Sequence, residues 1–191
     1  MLEPVTAIRF DKPMKVGRTG PCLMGCIRED GTDEEVVVKF RAGCDMKERS
    51  LVAEALAALL AADLDLPIPE PFIVRIDPAF AAIIPDADAR VKAEASIGWN
   101  FGSKRLPSGF STIPKDQPVP SRLIDEAAEI LAFDTFIANS DRTVDNPNCQ
   151  SNGKQLAIFD HELATQNTIE YIKHLVMNID SAISNLVEAL K

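Results

Sequence analysis

From Phe133 to Asp160 the chain has to end a helix, cross a polar loop and re-enter the core. Phe133, Phe136 and Ile137 recur at helical spacing up to Asn139. Ser140 to Asn148 is rich in Asp and Asn, and Pro147 bars that loop from a helix interior, because it has no N–H and clashes with the preceding turn. Gln155-Leu156-Ala157-Ile158-Phe159-Asp160 is then an apolar run closed by an acid. If that run is a strand, alternation puts Ile158 and Asp160 on one face.

The stretch supplies a carboxylate at Asp141, an amide oxygen at Asn146 and a second carboxylate at Asp160. Magnesium takes oxygen ligands, usually one or two carboxylates together with substrate phosphates. Phosphoryl transfer needs such a metal and a residue that orients the attacking hydroxyl. Asp141 suits the orienting role, and Asn146 and Asp160 suit the metal, with Asn148 as the reserve ligand. The plain alternative is a loop in which Asp and Asn cap their own backbone.

Asp141-Arg142-Thr143-Val144-Asp145-Asn146, followed by Ile158-Phe159-Asp160, resembles the catalytic loop and metal-binding acid of HipA-like kinases. These are relatives of the protein-kinase and phosphatidylinositol 3/4-kinase folds. Two positions depart from the family: Thr143 stands where His is frequent, and His161-Glu162 replaces a Phe-Gly after the metal acid. The resemblance implies an α+β, two-lobed kinase-like fold. Residues 1–90 would form an antiparallel five-stranded small lobe plus one helix, and residues 91–191 a short, mainly helical large lobe. It also implies ATP and Mg²⁺ as cofactors, with the γ-phosphoryl group passed to a hydroxyl acceptor, Ser or Thr on a protein. Two alternatives stay open: a catalytically weak nucleotide-binding pseudokinase that acts as an interaction module, and AMP transfer on the same fold.

Upstream, Thr6–Phe10, Cys22–Arg28 and Glu35–Phe40 read as strands, with turn chemistry at Glu29-Asp30-Gly31. Pro71–Ile76 and Ala79–Ile84 would complete the five. Gly17-Arg18-Thr19-Gly20 lies between the first two strands. Under the resemblance this loop covers the phosphates, and Thr19, its only hydroxyl, is a candidate for autophosphorylation. Lys39 ends the run Val36-Val37-Val38-Lys39, on one face with Val37. The resemblance gives Val37 to adenine and Lys39 to the phosphates; the plain reading of Lys39 is an edge lysine in water. Asp45 with Glu48 three residues on reads as a capping box. Leu51, Val52, Ala55, Leu56, Leu59 and Leu60 then follow helical spacing. The resemblance implies a glutamate on that helix as the partner of Lys39, and Glu54 is the choice, with Glu48 as the competing one.

Residues 85–120, which include Trp99 and Phe101-Gly102-Ser103, show no clear period and hide the expected hinge. Ser121 opens a helix leading into the catalytic loop, and residues 168–190 carry an amphipathic pattern that would pack on the large lobe. A net charge of −9 and a pI near 4.7 argue against nucleic acid as a direct ligand. No apolar run reaches the roughly 20 residues of a membrane span, and Met1-Leu2-Glu3-Pro4 lacks a signal-peptide pattern, so a cytoplasmic location is expected. Cys22 and Cys26 have loose metal-ligand spacing without a second pair, and read as buried apolar thiols along with Cys44 and Cys149.

Overall fold

The computed structural model describes residues 2–14, 17–115 and 117–164 as a mixed α+β arrangement. Strict alternation builds its first layer. Five strands, β1 (Glu3–Pro13), β2 (Cys22–Arg28), β3 (Asp33–Lys39), β4 (Pro71–Ile76) and β5 (Gly98–Lys104), close into a barrel in the order β1-β2-β3-β5-β4. Val5 and Ala7, Cys22, Met24 and Cys26, Val36 and Val38, and Phe72, Val74 and Ile76 point inward, none more than 2% exposed. Their period of two is what a pleated strand imposes. Burial pushes the Cys22 thiol up to about 11 and the Cys26 and Cys44 thiols up to about 12.

The barrel corrects the expected small lobe in three ways. The sheet is closed, and β1 pairs antiparallel with β2 but parallel with β4, Glu3–Thr6 lying against Phe72–Arg75. Ala79–Ile84 is not a strand, because Pro78–Ala82 forms helix α2. Asp77-Pro78 is a helix start, with proline where its missing N–H costs nothing, and the alanines that follow favour helix. The fifth strand is instead β5, whose inward positions are Asn100 and Gly102. Neither is apolar, so no alternation announced it. Asn100 stays satisfied inside by accepting from Arg41 N at 3.0 Å and donating to the Ser96 carbonyl at 2.8 Å. Gly102 is there for space: a Cβ would lie 2.5 Å from Val36 Cγ1 and 2.7 Å from Val74 Cγ2.

Helix α1 (Glu48–Asp63) crosses the outside of the barrel, and α3 (Ala87–Glu94) begins at Asp86, whose side chain accepts from Ala89 N. The single expected helix of this half is therefore three. Asp45 does not cap α1; Lys47 stands at the cap position and Asp45 pairs with Arg18. The expected lobe boundary at residue 90 falls within α3.

A second core forms where α1 meets helix α4 (Ile124–Phe136) and a three-stranded sheet of β6 (Ser111–Thr112), β7 (Cys149–Ser151) and β8 (Leu156–Ile158). Ala57 and Ala61 of α1 pack there with Ile130, Phe133, Ile137 and Ile158. Helix α1 thus touches both halves, and β8 is tied to the loop that follows α1 through Ile158 N, which donates to the Pro67 carbonyl at 2.8 Å. The amphipathic segment at 168–190 lies outside the described residues. Among the described residues no helix is long and apolar enough to cross a membrane.

Candidate active site

Alternation along β3 places Val36 and Val38 in the barrel and turns Lys39 outward beneath α1. Its Nζ lies 2.8 Å from Glu54 Oε2, 2.6 Å from Asp160 Oδ1 and 3.9 Å from Glu162 Oε2. Burial works against the Lys39 charge, but Glu54 and then Asp160 outweigh it and raise the ammonium above its usual range. Glu54 is 2% exposed. Burial alone would raise its carboxyl; the Lys39 charge and the His161 side chain hold it well below the usual range instead. The His161 backbone N–H also donates to Oε2, at 2.8 Å.

Helix α4 delivers the chain into the loop. Asp134 in its last turn is buried, accepting from Asn139 Nδ2 at 2.9 Å and from Arg142 Nε at 2.6 Å. The same guanidinium donates to the carbonyls of Pro147, Asn148 and Phe159. Its Nη2 lies 3.0 Å from His161 Nε2. Guanidinium has no acceptor atom, so Nε2 accepts and the ring proton sits on Nδ1. That nitrogen faces Glu54 Oε1 at 3.7 Å. His161 is 1% exposed and meets Phe133 edge to face.

Within the loop, Thr143 closes a turn with Asn146: its N–H donates to the Asn146 carbonyl at 3.0 Å and its hydroxyl accepts from Asn146 N at 3.1 Å. Asp141 Oδ2 accepts from the amide nitrogens of both Asn146, at 2.9 Å, and Asn148, at 3.1 Å. Strand β8 ends at Ile158, Phe159 N donates to the Asn148 carbonyl, and Asp160 adopts φ +62°. That turn takes Asp160 off the strand, so it does not share a strand face with Ile158.

The glycine loop folds down over this cluster. Gly17 and Gly20 have φ of +120° and +63°. A Cβ on Gly20 would lie 2.3 Å from Lys92 Nζ, which donates to the Thr19 carbonyl. Thr19 is only 4% exposed. Arg18 pairs with Asp45 and, at 3.1 Å, with Glu162 Oε1. Among the described residues the other oxygen of Glu162 is buried without a hydrogen-bond partner. Burial raises the Glu162 carboxyl against the pull of Lys39, and Asp160 and Glu54 push it the same way as burial.

A family model described as HipA-like kinase matches residues 7–187. The chain belongs to the HipA-like kinase family. No curated protein and no solved structure matches it. A kinase-type function, with the general use of ATP and metal that this entails, follows from membership.

In this HipA-like kinase the structure groups the sequence-derived residues into two sets. Lys39, Glu54 and Asp160 meet at one point; Asp141, Asn146 and Asn148 meet at another. Glu48 stays outside and pairs with Arg41 at 3.4 Å, on the surface. Val37 is half-buried on the outer side of the barrel, and Gly17 to Gly20 lie above through the reach of Arg18. Among the described residues no three Cys, His, Asp or Glu side chains form a group that could hold a metal ion. Sequence reasoning missed the organising roles of Arg142, His161 and Glu162. The readable signals were a carboxylate inside an apolar helix, Asp134, and a polar pair where the family carries Phe-Gly.

Proposed function

We propose that this chain is an ATP- and Mg²⁺-dependent kinase that passes the γ-phosphoryl group to a hydroxyl, Ser or Thr on a protein. The nucleotide is held between the barrel and the part built from α4 and the β6-β7-β8 sheet. The observation that carries the reading is Lys39 set between Glu54 and Asp160, since a strand lysine, a helix glutamate and a metal-facing acid form the working unit of kinases. The donor set fits magnesium: the Asp160 carboxylate and the Asn146 amide oxygen are hard oxygen ligands. The amide nitrogen of Asn146 is the atom committed to Asp141. Bound there, the metal supplies charge neutralisation at the phosphates.

The remaining roles fall to the chain itself. Lys39, fixed by Glu54, directs its ammonium to the phosphates. The Gly17-Arg18-Thr19-Gly20 loop lies over them, and Val37 meets the adenine. Asp141 orients the acceptor hydroxyl and takes its proton as the oxygen–phosphorus bond forms and ADP departs. The pseudokinase reading draws on one observation, the Arg18–Glu162 pair that closes the loop over Lys39. Incubation with Mg-ATP followed by intact-mass measurement, with calorimetry of ATP binding, separates the readings. Phosphoryl addition to the chain or to an added protein acceptor is expected. Adenylyl addition would replace phosphoryl with AMP transfer; binding without modification would favour the pseudokinase. No ATP binding at millimolar nucleotide would end the nucleotide reading.

A further inference from the structure

His161 is enclosed, at 1% exposed, and no step of the phosphoryl transfer uses its ring. Packing does not explain it. The ring meets Phe133 edge to face at 6.0 Å, a contact that an apolar ring of the same size would keep without burying two nitrogens. Those nitrogens are turned instead to charged groups on two other elements. Nε2 accepts from Arg142 Nη2 at 3.0 Å. Nδ1, which carries the proton, faces Glu54 Oε1 at 3.7 Å, long for a hydrogen bond but close enough for the N–H dipole to orient a carboxylate. The backbone N–H of the same residue donates to Glu54 Oε2 at 2.8 Å. One residue therefore meets both oxygens of Glu54.

Arg142 and Glu54 belong to different sides of the site. Arg142 is bonded to Asp134 on α4 and to the carbonyl of Asn148, whose side chain in turn donates to Asp141. Glu54 Oε2 also accepts from Lys39 Nζ at 2.8 Å. With bonds at Oε2 alone, the Glu54 carboxylate could still turn about its last bond and swing Lys39 with it. The ring at Oε1 sets its plane. Resting on the kinase reading above, we propose that His161 is a positioning residue. Its imidazole passes the placement of Arg142 and the catalytic loop to Glu54, and so fixes where Lys39 presents its ammonium to the phosphates.

Two variants separate this role from packing. His161→Phe keeps an aromatic ring against Phe133 and removes both nitrogens, while His161→Gln keeps an acceptor and a donor. His161→Phe is expected to lower kcat by roughly tenfold or more, with KM for Mg-ATP within about threefold, the pattern of a group misplaced in the transition state. His161→Gln recovers part of that loss. Added to Arg142→Lys, His161→Phe slows turnover little further, because the two act along one chain of contacts. A merely structural histidine would lower urea stability and leave kcat of the folded chain unchanged. Losses that multiply in the double variant would put the two residues on separate routes. Either result overturns the inference. Imidazole nitrogen NMR of the wild type needs no turnover and covers a variant that does not fold. The chain has two histidines, and His161 is expected to be protonated at Nδ1 and bare at Nε2; a proton on Nε2 overturns the inference. An active wild type with an equally active His161→Phe sinks this inference alone, whereas a wild type that binds no Mg-ATP takes the kinase reading down with it.

Discussion

Lys39 Nζ and Asp160 Oδ1 are 2.6 Å apart across 121 positions of sequence. That bond joins the outer face of the barrel to the turn after β8. The His161 N–H bond to Glu54, spanning 107 positions, runs beside it. The two halves of the site are thus fastened to each other through α1, which carries Glu54.

Lys39→Met should destabilise the fold by about 3 kcal/mol, the scale of a buried ion pair broken on one side. It leaves Glu54 and Asp160 facing each other without a cation. Urea unfolding measures it, and Glu54→Gln in the same background should recover part of the loss. A Lys39→Met chain as stable as wild type would mean the acids find other partners.

The pH dependence of stability follows from the directions of shift. Glu54 is held below its ordinary 4.5, so its contribution is present above that pH and lost as pH falls through the folded value. Lys39 is raised above 10.5, so its contribution is complete below that pH and lost as pH rises through the folded value. Glu162 is raised and acts the other way, costing stability as pH climbs past 4.5. Stability profiles of wild type and Glu54→Gln isolate the first effect: the two curves should converge as pH falls below 4.5 and run apart at a constant separation above about pH 5.

Asp141→Asn should lower turnover by roughly 10² or more, as for a lost general base, while ATP affinity stays near wild type. Its two amide contacts, from Asn146 and Asn148, are the ones this change weakens. Steady-state kinetics beside calorimetry read the two effects apart. Equal loss of both would assign Asp141 to the architecture of the loop.

Arg142→Lys should slow turnover by about tenfold to a hundredfold, since small misplacements of catalytic groups cost that much. One ammonium cannot reproduce a planar fork that meets Asp134, three carbonyls and His161 together. Amide exchange should rise at Asn148 and Phe159. Wild-type kinetics in this variant would count against the stitching role.

Gly102→Ala should cost about 1–3 kcal/mol through overpacking of the barrel. The added methyl meets Val36 and Val74, both fully buried. A Val36→Ala second change should relieve part of that clash in urea titrations.

Much of the barrel was legible because its walls alternate cleanly: β2 and β4 begin and end where the pattern puts them. Helix α1 was legible in its helical spacing, while the Lys39–Glu54 pair came from the resemblance, which expects a glutamate on that helix. What escaped notice was decided by tertiary context. The parallel pairing of β1 with β4 leaves no local mark, and β5 buries Asn100 and Gly102 where alternation predicts apolar residues. Asp160 read as the end of a strand because one positive φ cannot be seen in an apolar run. Arg142 belongs to a motif by position, but its reach to His161 depends on two loops meeting.

The strand order of the barrel also sets the order in which it can be assembled. β1, β2 and β3 form a meander that pairs locally, yet β1 waits for Phe72–Arg75 and β3 waits for Phe101–Lys104. Until β5 slots between β3 and β4, the free margins of those two strands display unpaired backbone, the kind of edge that recruits other chains. Closure erases both margins in one event. For a newly made or denatured chain, the hazard of self-association is therefore concentrated before residue 104 is in place, and refolding yield should fall with protein concentration more steeply than native solubility does.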